Sequence, residues 1–302
     1  MLVDKIDTFA GHRDCVYALE PGASPDSFFS AGADGLVVRW QLSKPDLGTL
    51  LARIPASVYA LAYDDRHRLL WVGQNYAGIH LIDPDSRQEV HSANITSAAI
   101  FDIRLVDEMA WLAFSDGTVA VMDTRESVPV MRKHLRASTQ SARCLAVHPD
   151  RREVAVGYSD NQIRIFDLDA LTLKQVIPAH DNSVFTLQYS PDGRYLLSGS
   201  RDAHLKIWDA AGQYDLVTDV VAHLFAINHI VFHPDGSLFA TCSMDKSIKV
   251  WDATTFRLLK VIDRARHAGH ATSVNKLWWS PYDNQLVSAS DDRLISVWKV
   301  AL

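Results

Sequence analysis

Three cysteines in 302 residues, Cys15, Cys144 and Cys242, are too few and too far apart for a disulfide framework. None falls in a CxxC or CxxxC spacing, so a structural zinc site is not expected either. A reducing compartment suits that usage. Charge of one sign is also lacking. The 30 basic and 36 acidic residues leave a net charge of −6, which gives no bulk attraction for nucleic acid or anionic lipid. Long apolar runs are missing: the oiliest stretch, 216–232, is interrupted by Asp219, His223 and His229, so membrane insertion is not expected. The N-terminal MLVDKIDTFAGH places Asp4, Lys5 and Asp7 where a signal peptide needs an apolar core, and a cytoplasmic location is expected. No P-loop, GxGxxG, GxSxG or HExxH is found, so no cofactor is expected.

What is present is a repeat. LLSGSRDAHLKIWD ending at Asp209 matches FATCSMDKSIKVWD ending at Asp252, LVSASDDRLISVWK ending at Lys299 and FFSAGADGLVVRWQ ending at Gln41. Weaker copies end at Asp167, Asp123 and Asp83, with Phe166, Met122 and Ile82 in place of tryptophan. The seven anchors, Trp40, Ile82, Met122, Phe166, Trp208, Trp251 and Trp298, stand 40 to 47 residues apart, a period expected of four-stranded propeller blades. Short apolar or alternating runs bounded by SPDG at Ser190–Gly193 and HPDG at His233–Gly236 read as strands, and helical spacing is absent.

With GH or AH, then PDG, then SGSxD, then WD, the chain resembles the WD-repeat family over nearly its whole length. The resemblance implies an all-β fold, a seven-bladed WD-repeat β-propeller forming a single domain over residues 1–302. After Trp298 the last unit has three strands and lacks a fourth, and the lone alternating stretch Val3–Phe9 is the candidate to supply it. Residues 1–9 are therefore expected to close the last blade, removing an open edge.

Four units carry a His, a hydroxyl, an Asp and a Trp, with the first three lying 28, 10 and 6 residues before the Trp. These are His12, Ser30, Asp34, Trp40; His180, Ser198, Asp202, Trp208; His223, Thr241, Asp245, Trp251; and His270, Ser288, Asp292, Trp298. Ser, His and Asp together suggest a hydrolase triad, but a catalytic constellation is single and sits beside a pocket, whereas this set recurs at fixed spacing. The resemblance implies a hydrogen-bonded line from Asp through His and Ser or Thr to the indole. The sets are expected to be structural, and the chain not to be an enzyme. Units two to four largely lack the set, keeping only Asp116 and Asp160. Trp71 and Trp111, each 11 residues before its anchor, are expected to pack between blades. His229 and His233, four apart on a strand, would lie about 13 Å apart and cannot pair on a metal.

In the resembling family, partners bind the rim formed by the loop entering the innermost strand and the loop holding the turn Asp. Carried over, the position after the first aliphatic residue of that strand is Tyr17, Tyr59, Phe101, Arg143, Phe185, Asn228 and Asn275, the first five spaced 42 apart. Before the turn Asp, the same rim adds Arg201, Met244 and Asp291. Tyr, Phe and Arg are common interface anchors because they bury large area with little rotamer loss or offer forked donors. Two basic segments, Arg132, Lys133, His134 and Arg136, then Arg264, Arg266 and His267, read as charged loops near that rim that could attract an acidic or phosphorylated segment. The expectation is a scaffold or adaptor that binds proteins or peptides. A ligand-binding or enzymatic central channel is the alternative, and nucleic acid or phospholipid binding through the basic segments a further one.

Overall fold

The structure is a computed structural model that describes residues 1–76 and 78–301. Among them lie seven four-stranded sheets, and six of these use four consecutive strands. The innermost strands are Val16–Pro21, Val58–Asp64, Ile100–Val106, Ala142–Val147, Val184–Tyr189, Ile227–Phe232 and Val274–Trp279, which number blades 1 to 7. The local cause is a period-two apolar pattern cut by tight turns. In the Ser190–Gly193 turn, Gly193 N–H donates to Ser190 O at 2.9 Å with φ at 69°. Any Cβ there would lie 2.7 Å from the His148 ring, so both conformation and space call for glycine.

Second strands such as Ser27–Gly32 in blade 1 and Met109–Phe114 in blade 3 are buried on both faces, because each sheet is covered on both sides. Outermost strands such as Val130–Arg136 and Asp215–Val221 are mostly exposed and rich in charge, which suits a sheet edge that must not pair with another chain.

The chain divides into two compact units, one of residues 1–74, 79–92 and 228–302, the other of 75–78 and 93–227. In the first, Phe9, Phe28 and Trp40 pack with Trp278 and Val287, and Val3 packs with Leu277, Trp279 and Trp298. Strand Leu2–Phe9 pairs antiparallel with Ile295–Ala301, from Leu2 opposite Ala301 to Phe9 opposite Ile295, and completes blade 7 as expected. In the second, Trp111 packs with Val156, Tyr158 and Phe166, and Leu187, Trp208 and Tyr214 form a separate cluster with Ile165.

The basic segments are not loops. Arg132, Lys133, His134 and Arg136 belong to the outermost strand of blade 3, Val130–Arg136. Lys133 opposes Val121 and donates to Leu171 O at 2.8 Å. Arg264–His267 is one turn of helix, N-capped by Asp263, whose carboxylate accepts from Arg266 N. Their charges served to mark loops, but alternate residues of an edge strand are also solvated, and charge alone does not separate the two.

Candidate functional site

In blades 1, 5 and 7 the repeated set forms the same line. In blade 1, Trp40 Nε1 donates to Ser30 Oγ at 2.7 Å, Ser30 Oγ lies 2.7 Å from His12 Nε2, and His12 Nδ1 lies 3.1 Å from Asp34. Blade 5 repeats it with Trp208, Ser198, His180 and Asp202, and blade 7 with Trp298, Ser288, His270 and Asp292. The indole can only donate, so the serine oxygen accepts from it and also bonds His Nε2, while His Nδ1 faces the carboxylate. Burial holds His12 below the ordinary histidine range, against the opposing pull of Asp34.

Each Asp also closes its turn. Asp202 accepts from His204 N at 2.9 Å and Asp181 N at 3.0 Å. Burial would raise the Asp292 carboxyl, but the His270 hydrogen bond and charge and the Ala271 and Leu294 N–H groups hold it at about 2. Ser30, Ser198 and Ser288 are wholly buried, so their hydroxyls are beyond the reach of a substrate. In blade 6, Trp251 donates to Thr241 Oγ1 at 3.0 Å, and His223 is buried.

Blade 4 has a substitute the sequence did not disclose. Arg164 reaches back with two nitrogens to Asp160 at 2.8 and 3.0 Å, and its guanidinium lies 4.5 Å from the centre of the Tyr158 ring. Ser138, standing where other blades have His, donates to Asp160 at 2.7 Å. In blade 2, His80 bridges Gln74 at 2.9 Å and Glu89 at 2.7 Å. Trp71 and Trp111 are buried as expected, and their indole N–H groups have no hydrogen-bond partner, so packing is their role.

The residues expected at the rim occupy one recurrent place. Tyr17, Tyr59, Phe101, Arg143, Phe185 and Asn275 are each second in an innermost strand, at the point where pairing with the next strand shifts by one residue. A bulge leaves that residue out of the ladder and re-aims its side chain, which explains why none of the six is buried core. Asn228 holds the same strand position and is half-buried. Arg201 and Met244 are exposed, and Asp291 is half-buried.

Within each unit these residues touch. In the unit containing both chain ends, the Tyr17 and Tyr59 rings lie 4.8 Å apart. Asn275 Nδ2 donates to Val16 O at 3.0 Å and Asp291 Oδ1 at 2.7 Å, and Asn228 Nδ2 donates to Val274 O at 2.8 Å. Cys15, beside this group, is pushed up to about 11 by burial and by Asp291, so its thiol stays protonated. In the unit of residues 93–227, the Arg143 guanidinium lies 4.5 Å from the Phe101 ring centre and 4.6 Å from that of Phe185. Below it, Asp102 accepts from Leu145 N at 2.8 Å, and Arg104 Nε donates to Leu145 O at 3.2 Å, a clamp between blades 3 and 4. Among the described residues no group of three or more His, Cys, Asp or Glu could hold a metal ion, and no helix is long and apolar enough to cross a membrane.

A model of the family described as WD domain, G-beta repeat, matches residues 4–41, 128–167, 171–209, 215–252 and 263–299. The chain belongs to the WD40-repeat family. The stretch of this WD40 chain outside those matches, 42–127, holds all of blade 2 and the first three strands of blade 3, where the His–Ser–Asp–Trp line is gone. The WD40 β-propeller domain of Doa1 superimposes with a TM-score of 0.85 at 18% identity, covering 99% of this chain and 97% of that one. The fold is therefore a seven-bladed WD40 β-propeller, with its N-terminal strand completing the last blade. Among curated relatives, striatin of Rattus norvegicus is 24% identical over 68% of this chain and 29% of its own. The 66 kDa stress protein of Physarum polycephalum is 26% identical over 72% and 35%. Protein groucho of Drosophila melanogaster is 25% identical over 63% and 27%. This WD40 chain thus spans about a third of the length of those relatives.

Proposed function

We propose that this chain is a non-enzymatic protein-interaction module, a scaffold or adaptor, whose partner contacts are made by the bulged residues of its innermost strands. Tyr17, Tyr59, Phe101, Arg143 and Phe185 are the anchors. Arg201 and Met244 extend them, and Asn228, Asn275 and Asp291 frame them. The supporting observation is the repetition of one device: blade after blade places a half-exposed aromatic or arginine at a strand bulge, and these side chains stack on one another instead of entering the core. Large rigid side chains already ordered before binding lose little entropy when a partner arrives. Rigid blades hold them in place, so the reading needs no conformational change.

Affinity purification of the tagged full chain from its source cells, beside Tyr17→Ala/Tyr59→Ala and Phe101→Ala/Phe185→Ala variants of unchanged melting temperature, tests it. Loss of the same partners from folded variants is expected. Retention of every partner by both variants overturns it.

A further inference from the structure

We propose that the segment bound by the unit of residues 93–227 is an acidic and apolar peptide, with a carboxylate on Arg143 and Arg201 and an apolar side chain against Leu224 and Phe225. It rests on the preceding reading and names the chemistry of the partner.

The loop after His223 carries the first observation. After the corresponding histidines of blades 1, 5 and 7 the next two residues are Arg13–Asp14, Asp181–Asn182 and Ala271–Thr272, all compatible with the same turn into the strand. Here they are Leu224–Phe225, 82% and 61% exposed. The turn has no need of apolar residues, since three sister loops are built without them, and Val221, 68% exposed, lies just before. A contiguous apolar group of this kind in water marks a contact surface, where a lone exposed leucine would not.

Backbone bonds tie that loop to the arginines. Ala222 N and His223 N donate to Ala203 O at 3.1 and 3.3 Å, and Arg201 N donates to Ser183 O at 3.0 Å, two residues before Phe185. The backbone turn that carries Arg201 is therefore tied on one side to the apolar loop and on the other to the segment entering the strand of Phe185. Its exposed guanidinium has no ion pair among the described residues. The nearby turn carboxylates are engaged inward, Asp202 with His180 and Asp160 with Arg164. Because Arg143 lies over two rings, further bonds must run through the planar N–H edge, which matches a carboxylate in shape. Asp215 and Asp219 on the strand leading to the loop disfavour an anionic membrane.

The test pans a random 12-residue peptide phage library on the full chain and measures the enriched peptides by fluorescence anisotropy. Enriched sequences should pair Asp or Glu with apolar residues. Replacing that acid by its amide, or Arg143→Lys/Arg201→Lys, or Leu224→Ser/Phe225→Ser in the chain, should each weaken binding at least tenfold, and added salt should weaken it further. Retained melting temperatures separate this loss from unfolding, and the lysine pair keeps charge while removing the fork. Neutral or basic enriched peptides that are lost with Phe101→Ala/Phe185→Ala would leave the interaction reading standing and overturn the acidic chemistry. Peptides indifferent to all these substitutions, or no enrichment, would overturn both. A phosphoserine version binding tenfold tighter than the glutamate peptide, or binding to phosphatidylserine vesicles in place of peptides, would also overturn the carboxylate assignment.

Discussion

Blades 5 and 4 are neighbours in sequence and fix the same turn by different chemistry. In blade 5, a histidine links Asp202 to a buried serine that also accepts from an indole. In blade 4 the histidine position is Ser138, the indole is Phe166, and Arg164 takes over Asp160 as a charged pair stacked on Tyr158. Both satisfy the turn carboxylate. They differ in what remains when the carboxylate is removed: a ring nitrogen and two backbone N–H groups in blade 5, a nearly buried guanidinium in blade 4. The comparison teaches that the WD motif is one solution to an electrostatic problem at the turn, and that a blade can lose the motif without losing the turn.

The largest expected effect comes from the closing strand, which neither kind of turn can replace. Deleting residues 1–9 removes the partner of Ile295–Ala301 and takes Val3 and Phe9 out of the core. Aggregation or a melting temperature lower by well over 10 °C is expected by scanning calorimetry and size-exclusion chromatography, since several kcal/mol of packing and pairing are lost. A monomer of unchanged melting temperature would show that blade 7 holds without it.

Next comes Asp160→Ala, which strands the Arg164 charge and should cost roughly 3 kcal/mol in urea unfolding. Asp202→Ala strands a histidine N–H and two backbone N–H groups and should cost about 2 kcal/mol. Equal losses would break the distinction between a charged and a neutral line. The double substitution Asp160→Ala/Arg164→Met should recover part of the first loss, because removing both charges leaves no unpaired one.

The smallest effect is in pH. The folded state holds His12 below the ordinary value of 6.5, so below that pH the unfolded chain takes up a proton that the folded one refuses, and stability falls as pH drops. Asp292, held at about 2 against an ordinary 3.8, contributes stability above 3.8 that is lost as pH falls toward 2. Asp160 is likewise held low, so the blade 4 line adds an acid-range loss, while His148 of the same blade, held below the ordinary histidine value by burial, adds to the loss below 6.5. Melting temperature followed from pH 8 to 3 should show both regions. His12→Gln should lessen the upper one, to which His148 and His267 also contribute, and Asp160→Asn should leave it in place.

Much of this was legible in the chain itself. The 42-residue spacing of Tyr17, Tyr59, Phe101, Arg143 and Phe185 placed each at the same strand position, because every blade pairs its strands in the same register. The exposed pair Leu224–Phe225 left a signal in the repeat alignment, where its sister loops are polar or small, but it emerged only once exposure was known.

The sequence by itself determined the number of blades, the hydrogen-bonded lines of blades 1, 5 and 7 and the closure by residues 1–9, since each follows from local pattern repeated at a fixed period. Tertiary structure alone decided that Arg164 replaces a histidine from another part of its repeat, that Arg132–Arg136 forms an edge strand, and that Arg143 lies over rings from blades 3 and 5. The last of these joins residues 42 apart in the chain, and contact across such a distance is set by how the sheets pack, which no local spacing encodes.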